Sequence, residues 1–286
     1  MTSLLNESSH IQYKAEGYLG PFKILNATEC EDLLKAIHFP HLVQTWYKSG
    51  HEKSKRIIDV ANNPKLVSIV SGLIGDDILL WGSIFIVQSR FMKHDLHLDV
   101  EHGKWKGVTL WLGLRNLEET EVFIITRSHL LPITPQELSK QGVDISNDQE
   151  MLRIAQSYDS KCELKYFRIQ PGELVLWEGK TWHGTINHGN LDRVALILQY
   201  SPTSEKTFIP KTYSYPDTEW EENIFPPCIL INGKDDFKLN NLMNPKKIGS
   251  LLDYLDTYYK LYKKGAAKNI IINMIKSDLK NQFQTY

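Results

Sequence analysis

Phe91-Met92-Lys93-His94-Asp95-Leu96-His97-Leu98-Asp99-Val100-Glu101 is the stretch on which the fold turns, because His97 and Asp99 stand two residues apart in a strand-like run. Side chains at i and i+2 of a strand point to one face, so an imidazole and a carboxylate converge there. That pair makes up two thirds of a 2-His-1-carboxylate set, whose ligands occupy one side of a metal and leave the other side open. A buried ion pair has the same spacing. The rest of the chain must therefore supply a third ligand and a scaffold.

The surrounding sequence is β-rich. Ile78 to Met92 is apolar, and Gly107 to Arg115 alternates, with Val108, Leu110, Leu112 and Leu114 on one face and Thr109, Trp111 and Arg115 on the other. Glu121 to Thr126, Glu163 to Ile169, Glu173 to Glu178 and Arg193 to Tyr200 read as further strands. Gln170-Pro171-Gly172 has the residues of a type II turn. Before this region, Gly17 to Leu25 reads as an opening strand. Thr28-Glu29-Cys30-Glu31 reads as a capping box for a helix through Ile37, and Asn63-Pro64 as the start of a helix ending near Gly75. Thr134-Pro135 starts another helix, and the polar insert from Asn147 to Tyr158 reads as a helix that could cover the site. Ser201 to Trp220 is a proline- and aromatic-rich connector. From Asn244 the spacing is helical, with Leu251, Leu252, Leu255 and Tyr258, then Ile271, Met274, Ile275 and Leu279, as packing stripes.

Composition narrows the function classes. With 42% hydrophobic residues the 286-residue chain can bury a large core, and a formal charge of −1 gives no reason to expect nucleic acid. The three cysteines, Cys30, Cys162 and Cys228, are isolated and odd in number, which fits a reducing compartment better than a disulfide framework. The start lacks an apolar leader, and no run approaches the length of a membrane helix. The expectation is a cytoplasmic protein with a small-molecule substrate, no nucleic-acid partner and no integral membrane segment.

Trp182-His183 follows a buried-looking strand and offers the distal histidine. Across the turn Asn187-His188-Gly189-Asn190, Arg193 opens the next strand, and a hairpin there would fold it back beside His183. Arg193 then either pairs with a structural Asp or Glu, or grips the far carboxylate of a dicarboxylic cosubstrate chelated to the metal. The order of His97, Asp99, His183 and Arg193 favours the second reading. His94, three residues from His97, should face away on a strand, His102 lies beside a glycine turn, and His188 is solvated. His129 lines the site or closes a loop. Trp111, Trp177 and Trp182 either bracket the pocket or fill core.

Taken together, His97-x-Asp99, His183, Arg193, Pro171-Gly172-Glu173 and Arg127-Ser128-His129 resemble the phytanoyl-CoA dioxygenase-like group of Fe(II)/2-oxoglutarate-dependent oxygenases, over about Ile78 to Pro202. The resemblance implies a mainly β chain with flanking helices: a double-stranded β-helix (jelly roll, cupin-like) core with N-terminal and C-terminal α-helices. On this reading residues 1–286 are a single oxygenase domain, with the core at about 78–202, a helical buttress at 1–77 and an extension at 203–286. The resemblance implies that His97, Asp99 and His183 bind Fe(II), that Arg193 anchors 2-oxoglutarate with Thr185 nearby, and that O2 is consumed. The implied reaction hydroxylates an aliphatic C–H of a small polar or carrier-linked metabolite, such as an amino acid, sugar acid or natural-product intermediate, releasing succinate and CO2. Related halogenases have a small residue where Asp99 stands, so hydroxylation is favoured, although desaturation and cyclisation share the same ligands. The family's usual Pro-Gly-Ser-His is Thr126-Arg127-Ser128-His129 here, and the residue two after Arg193 is Ala195, without a hydroxyl. Two other readings fit the same residues: a non-catalytic jelly-roll ligand-binding protein, and a zinc-dependent hydrolase using the same three ligands. The C-terminal helices could pack on the barrel, cap the site or form a homodimer contact.

Overall fold

The computed structural model describes residues 5–35, 47–99, 106–209 and 224–245, together with positions 259, 263, 272 and 276. The proposed C-terminal helical stripes, His102 and most of the connector lie outside the described residues. Within them the chain is mainly β, with several helices and two sheets.

Helix α1 (Glu7–Glu16) is capped by the Asn6 side chain and stops at Gly17, whose φ of 84° suits a residue without Cβ. Strand β1 (Tyr18–Lys23) follows. Helix α2 (Ala27–Leu34) does open on a capping box, but one formed by Asn26 and Glu29 rather than Thr28 and Glu31. Asn26 Oδ1 accepts from Glu29 N–H, and Glu29 Oε2 in turn accepts from Asn26 N–H. Helices α3 (Lys55–Ala61) and α4 (Pro64–Ile74) complete the N-terminal set, α4 beginning at Asn63-Pro64 as expected. No single helix among the described residues is long and apolar enough to cross a membrane; α3 and α4 meet that test only together, bent by 60°, and their apolar faces lie in the core described below.

Then come β2 (Ile78–Gln88), β3 (Met92–His97), β4 (Val108–Arg115), β5 (Thr120–Ile125), α5 (Pro135–Lys140), α6 (Asp148–Tyr158), β6 (Leu164–Phe167), β7 (Glu173–Glu178), β8 (His183–Asn187), β9 (Arg193–Pro202), β10 (Pro227–Asn232) and β11 (Asn241–Leu242). The larger sheet has the order β1-β7-β4-β9-β2-β10-β11, and the smaller one β3-β8-β5-β6. The outer face of the larger sheet carries Val108, Leu110, Leu112, Leu174, Leu196, Leu198 and Tyr200, packed against α1 to α4 through Tyr13, Leu33, Ile57, Leu66 and Ile69. The alternation of β4 thus has the anticipated faces as far as Leu112, whereas Arg115, beyond a register irregularity after Gly113, pairs with Val194 and reaches Glu31 of α2 on the helix-covered side. Helices α5 and α6 place Leu138, Met151 and Ala155 on Leu96, Leu98, Phe123 and Trp182. The polar insert therefore backs the smaller sheet and does not cover the site, because its apolar stripe needs the outer side chains of β3 and β5. The interior between the sheets carries Trp111, Val122, Val175, Trp177 and Ala195.

Strands β8 and β9 lie in different sheets, so the turn between them is not a hairpin. Asn187 secures the crossing: its side-chain N–H groups donate to Gln88 O, Ser89 O and Leu191 O, and its Oδ1 accepts from Gly189 N–H. All three cysteines are free and buried.

A buried histidine ties the N-terminal segment to the larger sheet. His51 Nε2 donates to Pro227 O at 2.7 Å, which leaves Nδ1 to accept from Ser83 Oγ–H at 2.8 Å, while Ser83 Oγ accepts from His51 N–H. Burial, opposed by the bond to Pro227, pushes this imidazole from 6.5 to about 4. The unfolded chain binds the proton first as pH falls, so this contribution is complete above about pH 6.5 and is lost toward pH 4, by on the order of 3 kcal/mol. Urea unfolding near pH 7 and about pH 4.5 should show a smaller acid loss in His51→Gln than in wild type. Equal losses would show that His51 does not carry this term.

Candidate metal centre

His97 ends β3, Asp99 follows two residues on, and His183 opens β8, directly opposite His97 in the register of the smaller sheet. One ligand atom from each of the three lies within 4.8 Å of the others. His97 and His183 have ring centroids 4.2 Å apart, and His183 Nε2 is 3.4 Å from Asp99 Oδ2. Three donors of this kind on one wall are what a divalent metal requires.

Local bonds set the tautomers. His97 Nδ1 lies 2.8 Å from Asp95 O and His183 Nδ1 2.9 Å from Thr181 O; a carbonyl can only accept, so both Nδ1 atoms carry the proton. Each Nε2 lone pair is left for a metal, the arrangement usual for ligating histidines. Burial, then His183, pushes His97 down to about 3, and burial lowers His183 as well. Both rings are thus neutral, as ligands must be. Gly184 lets β8 pass here, since a Cβ would overlap Phe123 and crowd His94 O.

Asp99 is held from several sides. Lys48 Nζ is 3.2 Å from Oδ1, and Trp177 Nε1–H donates to Oδ2 at 3.4 Å. Burial alone would raise this carboxyl, but Lys48 foremost, then His183, His97 and a Thr109 side-chain hydrogen bond, holds it well below the usual carboxylate range. The Trp177 ring also lies 4.4 Å from that of His183.

Arg193 reaches the same interior from the opposite sheet. Its Nε donates to Gln88 Oε1 and its Nη2 to Thr185 Oγ, both at 2.7 Å, and its Cζ lies 4.9 Å above the Trp111 ring. It is 1% exposed, Nη1 has no hydrogen-bond partner, and no carboxylate lies within salt-bridge distance among the described residues. Burial pushes the guanidinium down to about 9, so it remains a cation at neutral pH. Gln88 itself is fixed by its Nε2–H donating to Met92 O at 3.0 Å. Among the described residues Arg193 pairs with no structural Asp or Glu.

The structure brings together His97, Asp99 and His183, and in a second group Arg193 and Thr185. Sequence reasoning missed Lys48, Gln88 and Thr109. It also turned His94 away, whereas that ring lies 4.1 Å from His97. A register irregularity between His94 and His97 shifts the alternation and explains the difference. His129 faces α1, with Nε2 3.3 Å from Lys14 O, and Trp182 belongs to the outer cluster under α5 and α6; neither lines the site.

No protein-family model matches the chain, and no curated protein sequence matches it. Solved structures do. The non-heme monooxygenase ThoJ, in its apo form, is 14% identical with a TM-score of 0.61, over 95% of this chain and 99% of its own. CytC3 with Fe(II) and alpha-ketoglutarate is 18% identical, TM-score 0.57, over 85% and 94%. The epimerase SnoN in complex with Fe3+, alpha ketoglutarate and nogalamycin RO is 16% identical, TM-score 0.54, over 76% and 93%. At these identities the likeness is one of fold. The chain has the fold of non-heme iron, alpha-ketoglutarate enzymes, and the narrower phytanoyl-CoA dioxygenase group is not singled out.

Proposed function

We propose that this chain is an Fe(II)/2-oxoglutarate-dependent dioxygenase that hydroxylates an aliphatic C–H of a small polar or carrier-linked metabolite. Strands β2 to β9, in the orders β7-β4-β9-β2 and β3-β8-β5-β6, form the double-stranded β-helix. The observation that carries this reading is Arg193, a buried cation with an unpartnered N–H in the same interior as a three-ligand metal wall. A buried guanidinium without a counter-charge is costly, and a bound carboxylate removes that cost through a bidentate pair. A zinc hydrolase has no use for it.

His97, Asp99 and His183 would hold Fe(II) through two imidazole Nε2 atoms and a carboxylate oxygen. The backbone carbonyls of Asp95 and Thr181 keep those rings aimed, and Lys48 and Trp177 orient the carboxylate. Arg193 and Thr185 would take the C5 carboxylate of 2-oxoglutarate, with Gln88 fixing the guanidinium and Trp111 supporting its face. When bound, iron and keto acid supply O2 activation and the oxidising power for C–H attack, with decarboxylation to succinate and CO2. The protein's part is to hold these groups in place and keep water from the interior. Three buried free thiols support a cytoplasmic setting.

Incubating the protein under air with Fe(II), ascorbate and 2-oxoglutarate should release succinate slowly, and faster when pooled metabolites contain a substrate. Absence of succinate from folded, metal-loaded protein across a broad pool would favour a non-catalytic binding protein instead.

A further inference from the structure

One row of interior residues crosses the larger sheet beside Asp99. Gly82 on β2 pairs with Gln199 on β9, Gln199 with Thr109 on β4, and Thr109 with Trp177 on β7. Thr109 and Trp177 both bond the Asp99 carboxylate. Lys48, whose neighbour Ser49 bridges to Ser83 beside Gly82, reaches the same carboxylate from the far end of the row. Directly opposed side chains on neighbouring strands have Cβ atoms ~5 Å apart, so Gln199 stands one residue's width from a group that touches Asp99.

Gln199 is 1% exposed, and neither its amide nitrogen nor its amide oxygen has a hydrogen-bond partner among the described residues. Its neighbours Leu198 and Tyr200 point to the helix-covered face, so the fold asks only for an interior side chain at 199. A buried, unpaired carboxamide opposes folding, and an apolar residue of the same size would not. Gly82 is cut back to make room, since a Cβ there would overlap the carboxamide oxygen of Gln199. Arg193 lies six positions away on the same face of β9, about 20 Å along the strand, with Ala195 and Ile197 between. Gln199 is therefore outside the Arg193 group and at the metal end of the interior.

We propose that Gln199 is a substrate-binding, specificity-determining residue, whose carboxamide pairs with a substrate group offering an acceptor and a donor side by side, as an amide or lactam does. This rests on the oxygenase reading and names its substrate class. Both hydrogen bonds form only with the bound molecule, which holds a neighbouring carbon next to His97, Asp99 and His183. Sites built around buried polar groups reject analogues that leave those groups unpaired.

The test uses the full chain, labelled with 15N-glutamine and loaded with Zn(II) and 2-oxoglutarate, and two probes of one ring size: 2-pyrrolidinone, a lactam, and cyclopentanone, an acceptor only. The Gln199 side-chain signal is assigned by its loss in Gln199→Met. Wild type should bind 2-pyrrolidinone at least about tenfold more tightly than cyclopentanone, with a shift of that signal. Gln199→Met should lose the preference, keep the Fe(II)/2-oxoglutarate absorption, and melt at or above the wild-type temperature. Gln199→Glu, which replaces the donor by an acceptor, should also lose the preference. Equal binding of the two probes, an unmoved Gln199 signal, or a lowered melting temperature in Gln199→Met would each overturn the assignment. Failure of wild type to give the Fe(II)/2-oxoglutarate absorption overturns the oxygenase reading itself, whereas absorption without lactam preference overturns Gln199 alone.

Discussion

Replacing Arg193 with methionine should weaken 2-oxoglutarate binding by about thirtyfold or more, while leaving the apo protein as stable as wild type or more so. The affinity loss follows from removing one side of a buried charge pair, worth at least ~2 kcal/mol in comparable interfaces. The stability result follows from what surrounds Arg193 before the keto acid binds. The guanidinium is buried and Nη1 has no partner. Methionine keeps the unbranched stem over Trp111 and removes the desolvated charge. Gln88 and Thr185 remain bonded to each other, Thr185 Oγ–H donating to Gln88 Oε1 at 3.2 Å. Isothermal titration of metal-loaded protein with 2-oxoglutarate and a thermal melt of the apo form check the two halves. A large loss of apo stability with unchanged affinity would mark Arg193 as structural.

Asp99→Ala should lower Fe(II) affinity by at least about a hundredfold, the upper end of what loss of a supporting bond near a metal costs, and should abolish succinate release. Asp99 is the sole carboxylate of the three-ligand group, and its ionised form is secured by Lys48 and flanked by both histidines. Asp99→Asn, nearly isosteric, should behave alike, because the charge and not the shape is what the metal uses. Anaerobic Fe(II) titrations against a competing chelator measure both variants. An affinity within about threefold of wild type, smaller even than the loss of a supporting bond, would place the metal elsewhere.

Local patterns carried much of this into the sequence. His97 and Asp99 share a face because strand side chains alternate, and β4 shows its core and interior sides in the spacing of Val108, Leu110 and Leu112. Asn63-Pro64 and Thr134-Pro135 are helix starts with a physical basis, and both hold. What was not legible depends on distant register. Lys48, Gln88, Thr109 and Gln199 have no local signature; Lys48 and Thr109 meet Asp99, Gln88 meets Arg193 and Gln199 stands beside Thr109 because β2, β4 and β9 pair as they do and Ser49 bridges to Ser83. The crossing from β8 to β9 looked like a hairpin because a short polar turn between strands reads the same whether it stays in one sheet or changes sheets. The cap of α2 moved because two Asx/Thr-x-x-Glu boxes overlap there. The chain enters the helix directly after Ile24 and Leu25 donate their N–H groups to Gly172 O, which puts Asn26 at the cap. His94 returned to the site through an irregularity that spacing does not reveal.

The central claim is that one interior holds a metal through His97, Asp99 and His183 and a keto acid through Arg193. Anaerobic addition of Fe(II) and 2-oxoglutarate to metal-free protein tests it most directly. A weak visible metal-to-ligand charge-transfer band is expected when both are present, absent in Asp99→Ala and requiring more 2-oxoglutarate in Arg193→Met. A featureless visible spectrum from folded wild-type protein would contradict it.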